Sequence, residues 1–90
     1  MISRQVVVAT SIGLHARPAA TFCKAAARQP AKVTIGTDEG SSADARSVLS
    51  VLGLGVRGGQ AVTLSADPGQ RGAQVSVDAL ADLLATDLDA

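Results

Sequence analysis

Ninety residues, 47% hydrophobic but only 1% aromatic, with 8 basic side chains set against 8 acidic ones, describe one small soluble domain spanning residues 1–90. A chain of this size buries only about 60–65% of its unfolded surface, which points to one thin layer of helices on a sheet and away from a large enclosed active site. One cysteine (Cys23), one histidine (His15) and one aromatic residue (Phe22) exclude an internal disulfide, a Cys/His zinc cage and a stacking platform for bases or sugar rings. No metal, cofactor, nucleic acid or carbohydrate partner is expected.

Met1-Ile2-Ser3-Arg4-Gln5 passes straight into Val6-Val7-Val8, a β-branched strand bounded by Thr10-Ser11-Ile12-Gly13. Neither a signal-peptide pattern nor a run near the roughly 18 apolar residues of a membrane span is present, so a cytosolic chain is expected. Pro18 opens an alanine-rich helix to Arg28, with Ala19, Phe22, Cys23 and Ala26 at helical spacing and Gln29-Pro30 ending it. Cys23 falls on its inward face and reads as a small core residue, not a reactive thiol.

Lys32-Val33-Thr34-Ile35 alternates as a half-buried strand, and Asp38-Glu39-Gly40 turns into a short third strand near Ser41-Ser42. Ser47 to Leu52 is a short helix stopped by Gly53 and Gly55. After a turn at Gly58-Gly59, Val62 and Leu64 alternate with Thr63 and Ser65 in a fourth strand. A last helix carries Ala73, Val77, Leu80, Leu84 and Leu88 on one stripe, with Asp78, Asp82 and Asp89 elsewhere. The order β-α-β-β-α-β-α predicts an α+β open-faced sandwich: a four-stranded antiparallel sheet with its helices on one face.

Every charged side chain from Met1 to Gly36 is basic (Arg4, Arg17, Lys24, Arg28, Lys32), and all the acids come later. Dipole matching and solubility account for this as readily as an anion-attracting face built by the first half. Gly53-Leu54-Gly55-Val56-Arg57-Gly58 fits a dinucleotide-binding string, but that fingerprint needs a strand before and a helix after it. Here the order is reversed, so the glycines read as a helix stop and a turn.

The informative stretch is Gly13-Leu14-His15-Ala16-Arg17-Pro18. Proline suits a helix's first turn, whose N–H groups lack intrahelical acceptors, so His15 lands at or beside the N-cap, at an end that attracts anions. Arg17 adds a guanidinium suited to phosphate, and Lys24 and Arg28 continue a basic stripe at spacings of seven and eleven. Such a histidine is either a surface residue or an acceptor of a phosphoryl group, which needs a nucleophilic nitrogen, anion donors and open access. General-base catalysis would want an orienting carboxylate, and the first acid is Asp38, beyond the next strand.

Gly13-Leu14-His15-Ala16-Arg17-Pro18-Ala19 resembles, residue for residue, the active-site signature of the histidine-containing phosphocarrier (HPr) family of the bacterial phosphoenolpyruvate:sugar phosphotransferase system. Ser47-Val48-Leu49-Ser50-Val51-Leu52-Gly53-Leu54-Gly55 resembles that family's second, regulatory-serine segment. The resemblance implies a cytoplasmic, monomeric carrier and not an enzyme. His15 would take a phosphoryl group on Nδ1 from Enzyme I and pass it to Enzyme IIA domains, with phosphate contacts from Ala16, Arg17 and Ser11. Ser11 enters because family members often carry a polar residue before the motif's glycine, where this chain has Ile12. Ser47 matches the serine phosphorylated by HPr kinase/phosphorylase in some lineages, although an N-cap role needs no regulation. On the short second helix Val48 and Val51 are assigned to the core, and Leu49 and Leu52 to the partner-docking face with Lys24 and Arg28. Two alternatives stand beside the sugar relay: its nitrogen-related or dihydroxyacetone branch, and a regulatory module that binds protein without relaying phosphate.

Overall fold

Pleating sends successive side chains of an extended chain to opposite faces, and the first strand, β1 (Ile2–Val7), accordingly buries Val6 and exposes Val7. The computed structural model describes residues 1–88. Over them β1 is followed by α1 (Ala16–Ala27), β2 (Thr34–Thr37), β3 (Ser42–Asp44), α2 (Val48–Gly53), β4 (Ala61–Ala66) and α3 (Ala73–Leu84). The strands form one antiparallel sheet in the order β1-β4-β2-β3. Central β4 pairs with β1 from Ile2↔Ala66 to Val7↔Ala61 and with β2 from Thr34↔Ser65 to Thr37↔Val62. β1 and β2 are consecutive but not adjacent, so the segment carrying α1 crosses over the place β4 fills.

The helices cover one face, as the element order predicts. α3 lies on β1 and β4, α2 on β3, and α1 packs against both other helices. Phe22, Ile35, Leu64, Val77, Leu80 and Leu84 meet in a common core with almost no exposure. Burying side chains of this size stabilises by roughly 1.5–3 kcal/mol each. The opposite face presents Ser3, Gln5 and Thr63 to solvent. Arg4 reaches from β1 to Asp78 (3.2 Å) and Asp82 (3.4 Å) on α3, an exposed pairing of small energetic weight.

Several boundaries depart from expectation for reasons visible in the backbone. Helix α1 starts at Ala16, two residues before Pro18, and ends at Ala27; Arg28 is its C-cap, donating its N–H to the Ala25 carbonyl (3.1 Å). The third strand is Ser42–Asp44, not Ser41-Ser42, because the Ser41 carbonyl accepts from the Thr37 N–H (2.9 Å) to close the hairpin. Lys32 and Val33 precede β2.

Val48 is exposed, not core: a helix of 6 residues seats one side chain fully, and that one is Val51. Leu52 is half-buried against the core and so only partly available to a partner. Leu88 is not on the α3 stripe. The helix stops at Leu84, whose carbonyl accepts from the Ala9 N–H (3.0 Å), and the Leu88 N–H donates to Thr10 Oγ1 (3.1 Å). Asp89 lies outside the described residues.

Candidate functional site

His15 is the N-cap of α1, with extended backbone (φ −93°, ψ −170°) and a carbonyl that accepts the Ala19 N–H at 2.8 Å. Pro18 is buried in the first turn, where its missing N–H costs nothing. The N–H groups of Ala16 and Arg17 are then first-turn donors with no acceptor inside the helix, at the positive end of its dipole. His15, Ala16, Arg17 and Ser11 are all exposed, and Ile12 is 63% exposed. The described residues enclose no pocket, so this group stands on open surface.

What shapes the loop before His15 is a second loop more than 40 residues away. Gly13 has φ +79°, and a Cβ there would sit 2.2 Å from the Val56 carbonyl oxygen. A Cβ on Gly58 would sit 2.2 Å from the Ser11 carbonyl oxygen and 2.5 Å from that of Thr10. The two backbones therefore lie directly against each other, joined by the Leu14 N–H to the Val56 carbonyl (3.0 Å), with Leu14 buried beneath. Gly58 lies in the turn that the sequence predicts. Its contact with the His15 loop carries no local signal, and neither does the arrival of exposed Arg57 beside Gly13.

Thr10 was equally invisible. It is fully buried, its Oγ1 accepts from Leu88, and its carbonyl accepts the Gly13 N–H at 3.1 Å.

Lys24 is exposed in the last turn of α1, and Arg28 is exposed just past its end. Helix α2 packs beside α1 and presents Leu49, 84% exposed, with Val48 next to it. Ser47 caps α2: its Oγ accepts the Ser50 N–H (3.3 Å) and donates to Ser50 Oγ (2.9 Å). Gly53 closes α2 and β4 follows, so the glycine string has the reversed context expected of it.

Shifted acidities fall on the Asp44–Arg46 pair and on Cys23. Arg46 lowers the Asp44 carboxyl's pKa from its ordinary value, first through its guanidinium, which donates at 3.2 and 3.0 Å, and then through its backbone N–H; burial opposes these bonds, and the charges of Arg46 and Lys32 add smaller effects in the lowering direction. Burial, reinforced by the charge on Asp44, pushes the Cys23 thiol up, in keeping with a packing role. Among the described residues no group of three His, Cys, Asp or Glu side chains is placed to hold a metal ion.

An exposed imidazole at a helix N-terminus, with a guanidinium two residues on, suits an anionic group held on open surface. Comparison with known proteins points the same way. Residues 2–86 match the family model described as the HPr component phosphorylation site of the phosphotransferase system. The chain is 43% identical to the phosphocarrier protein HPr of Streptomyces coelicolor, over 99% of this chain and 94% of that protein. In three dimensions it is similar to HPr from Bacillus anthracis (TM-score 0.83, 30% identity, covering 92% of this chain and 95% of that one). It is also similar to the Bacillus subtilis catabolite repression protein Crh, seen as a dimer with a swapped domain (TM-score 0.74, 32% identity, 97% of both chains).

Proposed function

This chain belongs to the HPr phosphocarrier family of the phosphotransferase system, and from that membership we propose that it relays a phosphoryl group from Enzyme I to Enzyme IIA domains through His15. The single observation that carries the assignment is the placement of His15: exposed, at the N-cap of α1, with Arg17 exposed in the same turn. The Nδ1 lone pair attacks phosphorus as the bond to the donor breaks, and the electron pair of that bond leaves with the donor. Arg17, the first-turn N–H groups of Ala16 and Arg17, and Ser11 meet the charge on the phosphoryl oxygens. The second transfer reverses these roles, with an Enzyme IIA nucleophile attacking and His15 leaving.

Access on both legs must be open, because each partner presents its own reacting group. The exposed cations Lys24 and Arg28 and the apolar Leu49, with the uncovered part of Leu52, supply the docking face for acidic and apolar partner surface. Ser47 is proposed as a second, regulatory phosphate acceptor for an HPr kinase/phosphorylase, since its hydroxyl is at the N-terminus of the helix that carries this face. We read the carrier as a cytoplasmic monomer; a swapped dimer like that of Crh would show twice the mass by light scattering.

The test is incubation with phosphoenolpyruvate and Enzyme I followed by intact mass. One acid-labile phosphoryl group is expected on the parent and none on His15→Ala, which should remain folded. Acid-labile phosphate on His15→Ala would sink the assignment, and an acid-stable gain after treatment with the kinase would mark Ser47. Transfer onward to sugar-type, nitrogen-type or dihydroxyacetone-type acceptor domains separates the branches of the relay. A module that only binds protein would dock normally as His15→Ala and relay nothing as the parent.

A further inference from the structure

We infer that Thr10 is a positioning residue for the phospho-acceptor loop, tying that loop to the C-terminal end of the chain. The inference rests on the relay reading of His15. Its basis is an exchange of hydrogen-bond partners where α3 ends. Had α3 continued, the Leu88 N–H would have bonded the Leu84 carbonyl, four residues back. Instead the Leu84 carbonyl accepts from the Ala9 N–H at 3.0 Å, and the Leu88 N–H donates to Thr10 Oγ1 at 3.1 Å. Two adjacent residues at the root of the His15 loop thus take up the donor and acceptor that the helix gives up.

Thr10 is suited to transmit this anchoring because it is engaged on three sides. The residue is fully buried, so its hydroxyl is shielded from water and the Leu88 contact is not readily replaced by solvent. Its own carbonyl accepts the Gly13 N–H at 3.1 Å, closing the turn that delivers Leu14 and His15 to the start of α1. On the remaining side Gly58 lies against the Thr10 and Ser11 carbonyls so closely that no Cβ fits between them. Leu14, buried and bonded to the Val56 carbonyl, holds the far end of the loop. Loss of the Leu88 contact loosens the root, which then keeps only the Ala9 bond and the Gly58 packing, while the far end stays fixed, and the added freedom falls on Ser11 to Gly13, immediately before the histidine. A phosphoryl transfer that depends on ready-made geometry should register such freedom in the rate of the chemical step more than in docking.

Two variants remove the contact from opposite partners. Thr10→Val keeps the shape and burial but puts a methyl where Oγ1 accepts; Leu88→Pro removes the donor while leaving an apolar side chain. Each should lower kcat for transfer from phospho-Enzyme I by roughly three- to tenfold, as expected for one neutral hydrogen bond, with KM unchanged. Thr10→Ser, which retains the hydroxyl, should restore kcat. The double variant Thr10→Val/Leu88→Pro should be no slower than either single one, because both delete the same bond. Faster amide exchange at Gly13 in both variants, with unchanged global melting, would place the effect in the loop.

Parental kcat in a folded Thr10→Val or Leu88→Pro protein would overturn the inference, and so would additive losses in the double variant. If Thr10→Val fails to fold, Leu88→Pro alone decides. Should the parent chain itself take no phosphoryl group from phospho-Enzyme I, the relay reading falls and this role falls with it, an outcome distinct from an active parent whose variants are equally fast.

Discussion

At the scale of single residues the proposed site is an imidazole, a guanidinium and a few backbone donors, and their chemistry sets the sizes of the expected effects. In the proposed relay Arg17 would meet charge that develops on the phosphoryl group in flight, so Arg17→Ala should slow transfer from Enzyme I more than it raises KM. Charge-assisted bonds of this kind are worth roughly 1.5–3 kcal/mol, or about one to two decades in rate; unchanged single-turnover rates would remove Arg17 from the mechanism. The glycines make a different kind of contribution. Gly58→Ala would drive a Cβ to 2.2 Å from the Ser11 carbonyl oxygen, so urea unfolding should show a loss of about 1–3 kcal/mol. Gly53→Ala, at the end of α2 with nothing within 4 Å, should cost nothing and serves as the control. His15 and Arg17 were legible because their motif is contiguous, whereas the need for glycine at position 58 arises from a carbonyl in another loop.

At the scale of elements, short helices are where pattern reading loses its grip. Twelve residues of α1 give enough turns to tell an inward row of Ala19, Phe22, Cys23 and Ala26 from an outward one, and the structure buries that row. Six residues of α2 do not. Its apolar side chains surround the axis, and the sequence alone placed Val48 in the core, where only Val51 is fully enclosed. Leu49 is the side chain on which the docking proposal is most exposed to test. Because it is 84% exposed, Leu49→Asp should change the melting temperature little, as surface substitutions usually do within about 0.5 kcal/mol. Desolvating the new carboxylate in a complex should raise the apparent KM for Enzyme I by tenfold or more, on the order of 1.4 kcal/mol. A large drop in melting temperature with normal binding by the folded fraction would make Leu49 a structural residue instead.

On the scale of the whole molecule, three helices on one face leave the sheet's other face to solvent and hold a small core together with few polar contacts. The Asp44 carboxyl links β3 to the approach of α2, and its acidity ties it to the stability of the fold. Arg46 lowers its pKa in the folded state, so the contribution is fully present above the carboxyl's unfolded value and is lost as pH falls through the folded one. Asp44→Asn should therefore unfold at lower urea concentration than the parent at neutral pH, with the difference shrinking steadily in acid. A difference that stayed constant with pH would show that the charge of Asp44 is not what Arg46 stabilises.

Much of the fold and half of the site follow from local rules. Alternation, proline and glycine placement and helical spacing suffice for the β-α-β-β-α-β-α order, the entry of α1 at His15 and the Ser47 cap, because each depends on neighbours within one or two turns of chain. The end of α3, the seating of Val48 and Leu52, and the bracing of the His15 loop by Val56, Gly58 and Thr10 were decided only when distant segments met. A backbone donor such as the Leu88 N–H carries no mark of whether it will bond its own helix or a threonine 78 positions earlier; that choice is made by packing, which brings the competing acceptor within reach.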